Sequence, residues 1–185
     1  MSLIVKSQNV ADERLMELFL DGDQEALETL VRRYQEPLFA FAVRKLGDRT
    51  AAEDAFQETF LRVYRRRATY QPGRRFRSWV YSICLNVCRD VLRKGQRRRE
   101  VPLSQNPSSP DASAGPAEQA LNLLEVARVR HALAQLPKGQ SDVVLLAHYQ
   151  GLAYGEIAQV LNIPVGTVKS RNFNAMRSLL RVLRR

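Results

Sequence analysis

Residues 74–99 read RRFRSWVYSICLNVCRDVLRKGQRRR, a helix-competent run on which the chain concentrates aromatics, hydroxyls, amides and positive charge. Apolar side chains recur at Phe76, Val80, Ile83, Val87 and Val91, the three-to-four spacing that lines one face of a helix with 3.6 residues per turn. That face predicts a core. Arg77, Ser78, Ser82, Asn86, Arg89 and Arg93 fall on the opposite side: guanidinium groups suit phosphates, and amides and hydroxyls suit base edges. Just upstream, Tyr70, Gln71, Pro72, Gly73, Arg74 and Arg75 form a basic segment whose Pro-Gly pair predicts a turn between two helices. Such a loop, with aromatic neighbours, is fit to hold an unstacked base. Trp79, at helical spacing beside Ile83, reads as a support residue for that surface. A charge run by itself is usually only a solvated face, so the reading depends on the rest of the chain.

The chain has 185 residues, enough for one medium domain or two small ones. With 45% hydrophobic and 26% charged residues its composition is that of an ordinary soluble protein. The net charge of +10 is the exception, and it points to a polyanion: nucleic acid first, an anionic membrane surface second. No run approaches the ~18 to 20 apolar residues of a membrane span, and the start, MSLIVKSQNVADERL, lacks the charged head and long apolar stretch of a signal peptide. A cytoplasmic location without membrane insertion is expected. Only two cysteines occur, Cys84 and Cys88, distant in sequence from His131 and His148, which is too few ligands for a metal site or a disulfide framework. They read as small buried residues of a reduced compartment. There is no G-x-S-x-G, P-loop or G-x-G-x-x-G, so no catalytic residue, cofactor or small-molecule substrate is expected.

Taken in order, residues 11–20 predict a helix, and Asp21-Gly22-Asp23 supplies a stop and a new N-cap for a helix over 24–46. Ala26, Leu27, Leu30, Val31, Tyr34, Leu38, Phe41 and Ala42 form its apolar stripe, with Pro37 a kink or first-turn residue. Gly47-Asp48 ends it, and Thr50 or a neighbour caps a helix over 51–67 with Ala55, Phe56, Thr59, Phe60 and Val63 inward. Glu53, Asp54, Gln57 and Glu58 make an acidic, amide-bearing face on its first half. Acids in a first turn are ordinary dipole chemistry, but Glu58 lies too far along for that.

Residues 101–116 are rich in Pro, Ser, Gly and Ala with no aromatic, a disordered linker by composition. Residues 24–100 carry 18 basic and 9 acidic side chains and residues 117–185 carry 9 and 4, so two positively charged domains flank it. The expected fold is all-α: an N-terminal helical extension at 1–23 and two helical domains, 24–100 and 117–185, joined by the flexible linker. In the second domain, 121–136 predicts a helix closed by Pro137-Lys138-Gly139; Ser141 caps a helix over 142–149. A short helix over 154–161 with Ile157, Ala158 and Leu161 inward, a turn at Asn162-Ile163-Pro164 and a basic helix from Gly166 then make a helix-turn-helix. Thr167, Lys169, Ser170 and Arg171 start its second helix, the part that meets base edges in this motif.

In these stretches the chain resembles group IV, extracytoplasmic-function sigma factors of bacterial RNA polymerase. GDQEALETLVRRY, AAEDAFQETFLRVYR and FRSWVYSICLNVCRDVLRK are similar to sigma regions 2.1, 2.2 and 2.3 to 2.4, and EIAQVLNIPVGTVKSR to region 4.2. The resemblance implies that Asp54, Gln57, Glu58 and Arg62 bind the clamp coiled coil of the largest polymerase subunit. It implies that Tyr70, Gln71, Arg74, Arg75, Arg77, Trp79, Ser82, Asn86, Arg89 and Arg93 serve the minus-ten element, where a base is flipped out. Thr167, Lys169, Ser170, Arg171, Phe173 and Asn174 would serve the minus-thirty-five element. The implied partners are RNA polymerase core, including the flap of its second largest subunit, promoter DNA and an anti-sigma factor. Asn172 and Asn174 depart from the family, which usually has an apolar residue and an Arg there. The alternative within the same class is a stand-alone helix-turn-helix regulator that never engages polymerase; it would not require the acidic face at Asp54 to Glu58.

Overall fold

The computed structural model describes residues 10–99, 128–129 and 131–184, with no strand among them. The expected linker 101–116, the first nine residues of the N-terminal extension, and residues 121–127 and 130 of the expected helix 121–136 lie outside the described residues. What is described falls into two compact units.

The first unit holds α1 (Asp12–Leu20), α2 (Gln24–Leu46), α3 (Arg49–Arg66), a 3₁₀ turn (Arg67–Thr69) and α4 (Phe76–Arg99). Its two short joints are built as the sequence requires. Gly22 takes φ +103 and Asp23 caps α2, its carboxylate accepting from the Glu25 and Ala26 N–H groups at 2.9 and 3.3 Å. Gly47 takes φ +74, the left-handed conformation that closes α2, and Asp48 then accepts from the Ala51 N–H at 2.8 Å. Asp48, not Thr50, is therefore the cap, and α3 begins at Arg49, because the short carboxylate directly after the glycine reaches the exposed N–H groups first. Pro37 sits in the interior of α2, not in its first turn.

The core is made where α2, α3 and α4 meet. Leu30, Leu38 and Phe41 from α2, Ala55 and Val63 from α3, and Phe76, Val80, Tyr81 and Leu85 from α4 are all buried. Phe41 and Tyr81 meet edge to face at 5.5 Å, the favoured arrangement of two quadrupoles. α1 adds Leu15, Met16 and Phe19. Because α4 packs against α1, α2 and α3 at once, it is buried over most of its circumference. This corrects the expected position of Ser78: it is fully buried, with its Oγ unpartnered. Val91 is only half-buried.

The second unit holds helical residues 131–134, α5 (Lys138–Val144), a π-helical turn (Leu145–Tyr149), α6 (Tyr154–Leu161) as far as Ala158, and α7 (Val165–Leu183). Ser141 is not a cap. The Pro137 carbonyl accepts from the N–H groups of Gln140 and Ser141 at 2.8 and 3.0 Å, so the proline, with φ already at −52°, starts the helix at Lys138. Ala132, Leu136, Val144, Ala175 and Leu179 form a core cluster; Ile157, Val160 and Val168 are also buried, whereas Ala158 and Leu161, expected inward, are half-buried.

The two candidate caps of α3 separate cleanly by mutation. Asp48→Ala is expected to lower unfolding free energy by about 1 kcal/mol, while Thr50→Ala should change it by less than about 0.5 kcal/mol. Urea denaturation of the two variants followed by circular dichroism is the check.

Candidate nucleic-acid interface

The segment between the 3₁₀ turn and α4 is held at its base by rings. Tyr70 and Trp79 are not open to solvent: they are 5% and 6% exposed, and their rings meet edge-on at 5.2 Å, with Phe76 within 6.3 Å of both. Tyr34 closes the cluster from α2, 5.4 Å from Phe76. The Tyr70 hydroxyl donates to the Arg74 carbonyl, the Arg74 N–H donates to the Gln71 carbonyl at 3.1 Å, and Gly73 turns between them at φ +86. Burial first, then the acids Glu13, Glu17 and Asp12, push the Tyr70 phenol up to about 12, so it stays protonated as a donor. The tip carries the exposed Gln71 and Arg75 and the half-buried Arg74.

Along α4 the surface left open is a narrow strip. Arg77, Ser82 and Arg89 are half-buried, Asn86 and Arg93 exposed. The Ser82 hydroxyl already donates to the Trp79 carbonyl at 2.6 Å, which leaves its lone pairs to accept. Asn86 presents an exposed amide midway along the strip. Sequence reading missed Asp90, the one acid among these bases. Its carboxylate pairs with Arg62 of α3 at 3.1 Å and with Arg93. Arg62 in turn pairs with Glu58 at 2.7 Å. The four side chains form a chain of charges from α3 to α4; the signals available in sequence, Glu58 four residues before Arg62 and Asp90 three before Arg93, give the two local pairs but not the Arg62–Asp90 pair between the helices.

That network divides the acidic face of α3. Asp54 and Gln57 are exposed, whereas Glu58 is half-buried and committed to Arg62. The Glu58 carboxylate holds the Arg62 guanidinium above its ordinary range, ahead of an opposing effect of burial and a further hydrogen bond to Asp90. Partial burial alone would raise Asp90, but its bonds to Arg62 and Arg93 outweigh that and hold its carboxyl below the ordinary 3.8.

After α6 Asn162 takes φ +52, a conformation open to Asn at little cost, and the Ile163 N–H donates to the Ala158 carbonyl at 3.1 Å. This turns α6 into α7. Glu156 caps α6 by accepting from the Ala153 N–H at 2.8 Å. At the start of α7, Thr167 is half-buried and Val168 fully buried, while Lys169 and Ser170 are exposed. Arg171 lies over α5: a Cβ on Gly139 would stand 3.0 Å from its Nη1. Phe173 is 68% exposed and Asn174 is exposed. Asn172 is buried, its Nδ2 donating to the Tyr154 hydroxyl and its Oδ1 meeting His148 Nε2, both at 3.0 Å. The departure from an apolar residue here is thus a polar bridge joining α7, α6 and the π-helical turn.

Residues 30–98 match the family profile described as Sigma-70 region 2, and residues 127–179 that described as Sigma-70, region 4. The chain is 31% identical over 183 residues to RNA polymerase sigma-H factor of Pseudomonas aeruginosa, covering 93% of each protein. It is 30% identical over 173 residues to the extracytoplasmic-function RNA polymerase sigma factor SigW of Bacillus subtilis, covering 88% of this chain and 91% of that one. Among solved structures, CnrH in complex with the cytosolic domain of CnrY aligns with a TM-score of 0.72 at 29% identity, over 94% of this chain and 97% of that one.

The ion network carries a pH signature. A carboxyl held lower in the folded chain than in the unfolded one stabilises the fold above its unfolded pKa and loses that contribution as pH falls through the folded value. Wild type should therefore exceed Asp90→Asn in stability at pH 7, and the gap should close as the pH drops below the ordinary 3.8 of this carboxyl. Urea midpoints of both proteins from pH 7 down to pH 2 test this; a gap that widened with acid would contradict it.

Proposed function

Because this chain belongs to the sigma-70 family of RNA polymerase sigma factors, within its extracytoplasmic-function group, it directs polymerase core to promoters, and we propose how its residues divide that work. The observation that carries the reading is the pairing of a region 2 match at 30–98 with a region 4 match at 127–179 on one chain. A stand-alone regulator needs only the second.

In this proposal 24–100 is the domain that binds core and the minus-ten element, 117–185 reads the minus-thirty-five element and meets the polymerase flap, 101–116 links them, and 1–23 is an extension of the first domain. Asp54 and Gln57 contact the clamp coiled coil directly, and Glu58 does so while held by Arg62. Tyr70 and Trp79 support the tip that carries Gln71, Arg74 and Arg75, and Asn86 receives the extruded base, flanked by Arg77, Ser82, Arg89 and Arg93 on the strip. Hydrogen bonding by an amide offsets part of the unstacking energy of a flipped base, which is a few kcal/mol. Thr167, Lys169, Ser170, Arg171, Phe173 and Asn174 face the major groove or its phosphates. CnrH is solved with a cytosolic protein domain bound; an anti-sigma factor is the corresponding partner here. The protein acts in the cytoplasm, without catalysis of its own. Run-off transcription by purified core polymerase plus this protein, on promoter fragments of its own genome, tests the function; no added transcript over core alone would refute it.

Residue roles give sharper outcomes. Asp54→Arg should abolish capture of core polymerase with the helical spectrum unchanged, and undiminished pull-down would sink that role. Asn86→Ala should reduce permanganate reactivity of unpaired thymines by about ten-fold, with duplex affinity nearly unchanged, as expected for ~1 to 3 kcal/mol held in one base contact. At the other element, a bidentate Arg discriminates where an ammonium only neutralises. Arg171→Ala should relax preference at one position, and Lys169→Ala should weaken all sequences alike and lower the salt slope by about one. Affinities over a single-substitution promoter library at two salt concentrations distinguish the two.

A further inference from the structure

α4 begins after a residue whose own side chain cannot cap it. The Trp79 N–H donates to the Arg75 carbonyl at 3.2 Å, which makes Arg75 the residue flanking the helix start, and an arginine side chain has donors only. The first helical N–H, that of Phe76, is instead met by Glu13 Oε1 at 3.1 Å, from a residue 63 positions earlier. Glu13 is half-buried on α1, and α1 is itself fastened to α2: Asp12 accepts from Arg33 and from the Tyr34 hydroxyl, and the Arg33 guanidinium also donates to the Val10 carbonyl at 3.0 Å. The carboxylate thus supplies the missing acceptor and also puts negative charge at the positive end of the α4 dipole.

The consequence lies in the loop. Residues 70–75 are fixed at one end by Tyr70, whose ring is buried and whose hydroxyl holds the Arg74 carbonyl. At the other end the fixing group is Glu13, one residue past the exposed Arg75. We propose that Glu13 is a positioning residue for the minus-ten loop, holding the start of α4 so that Gln71, Arg74 and Arg75 are presented in one conformation to the separated strand. It touches no DNA itself. The proposal rests on the assignment of residues 70–75 to the minus-ten element.

The test uses the full chain reconstituted with core polymerase, on a promoter fragment recovered by run-off transcription. Two quantities are measured: affinity for the closed duplex complex, and the rate at which permanganate-reactive thymines appear. Glu13→Ala should open promoter roughly five- to ten-fold more slowly, the size of effect that a lost cap of this kind carries, with closed-complex affinity unchanged. Glu13→Gln keeps a carbonyl acceptor at the same reach and should open at nearly the wild-type rate. If Glu13→Ala does not fold, Glu13→Asp, one methylene too short, carries the same expectation of slow opening. Arg75→Ala is the control for the loop itself. Wild-type opening by Glu13→Ala alongside slow opening by Arg75→Ala would overturn the role of Glu13 and leave the loop assignment standing. Unchanged opening in both would overturn the loop assignment and this proposal with it. An equal loss of closed-complex affinity and opening rate that Glu13→Gln did not rescue would mark general damage to the fold and would also overturn it.

Discussion

The burial of α4 on three sides at once is the constraint from which the first unit follows. Phe76, Val80, Tyr81, Cys84, Leu85 and Cys88 are taken up by α1, α2 and α3, and close packing leaves these positions little freedom to move. A helix so deeply seated cannot offer a broad polar face. What it offers is a narrow strip with Asn86 exposed midway along it, on a backbone held by packing on its other sides. Rigidity of this kind suits the role proposed for the strip, because the ordering of a receiving site is then completed during folding and not during binding.

The charges are arranged around that seat in two ways. Those at the tip of the loop and on the outer strip are presented outward. Those at the α3–α4 seam, Glu58, Arg62 and Asp90, pair with one another, and Asp90 also takes the exposed Arg93 of the strip. The half-buried Arg62 is the hinge of the arrangement, since removing it would take the guanidinium from Glu58 and leave Asp90 to Arg93. The seam therefore joins the helix proposed to meet polymerase to the helix proposed to meet separated DNA, and a displacement of Glu58 by the clamp would be felt at Asp90.

The second unit solves a related problem with a different device. Its recognition helix is short of apolar ballast at Asn172, and the gap is filled by hydrogen bonds to Tyr154 and His148. A satisfied buried amide of this sort is directional where an apolar contact is not, so it specifies the angle of α7 against α6 and the π-helical turn. Arg171 lying over Gly139 adds a second point of registration, and a side chain at 139 would displace the guanidinium.

Much of this was legible in the residues. The 3.6-residue periodicities located α2, α4 and α6 closely, since an apolar stripe must face a core wherever that core is. Asp23 could be read as a cap because a cap acts on the two or three residues that follow it. The roles of Lys169 and Ser170 as exposed residues at the head of α7 follow from the same local logic. What sequence could not supply depends on groups that meet only after folding. An amphipathic pattern says that a helix has one buried face, but not that three helices will crowd it, so Ser78 went inward, and Tyr70 became a foundation for the loop. Ser141 lost its capping role to Pro137 because backbone geometry at the proline starts the helix earlier than the side-chain signal does. Asn172, a simple departure from a pattern in one dimension, is a bridge in three. Above all, no reading of residues 74–99 reveals that the N–H of Phe76, the first of α4, is capped by Glu13: the acceptor comes from another helix, and only the tertiary fold brings it within 3.1 Å.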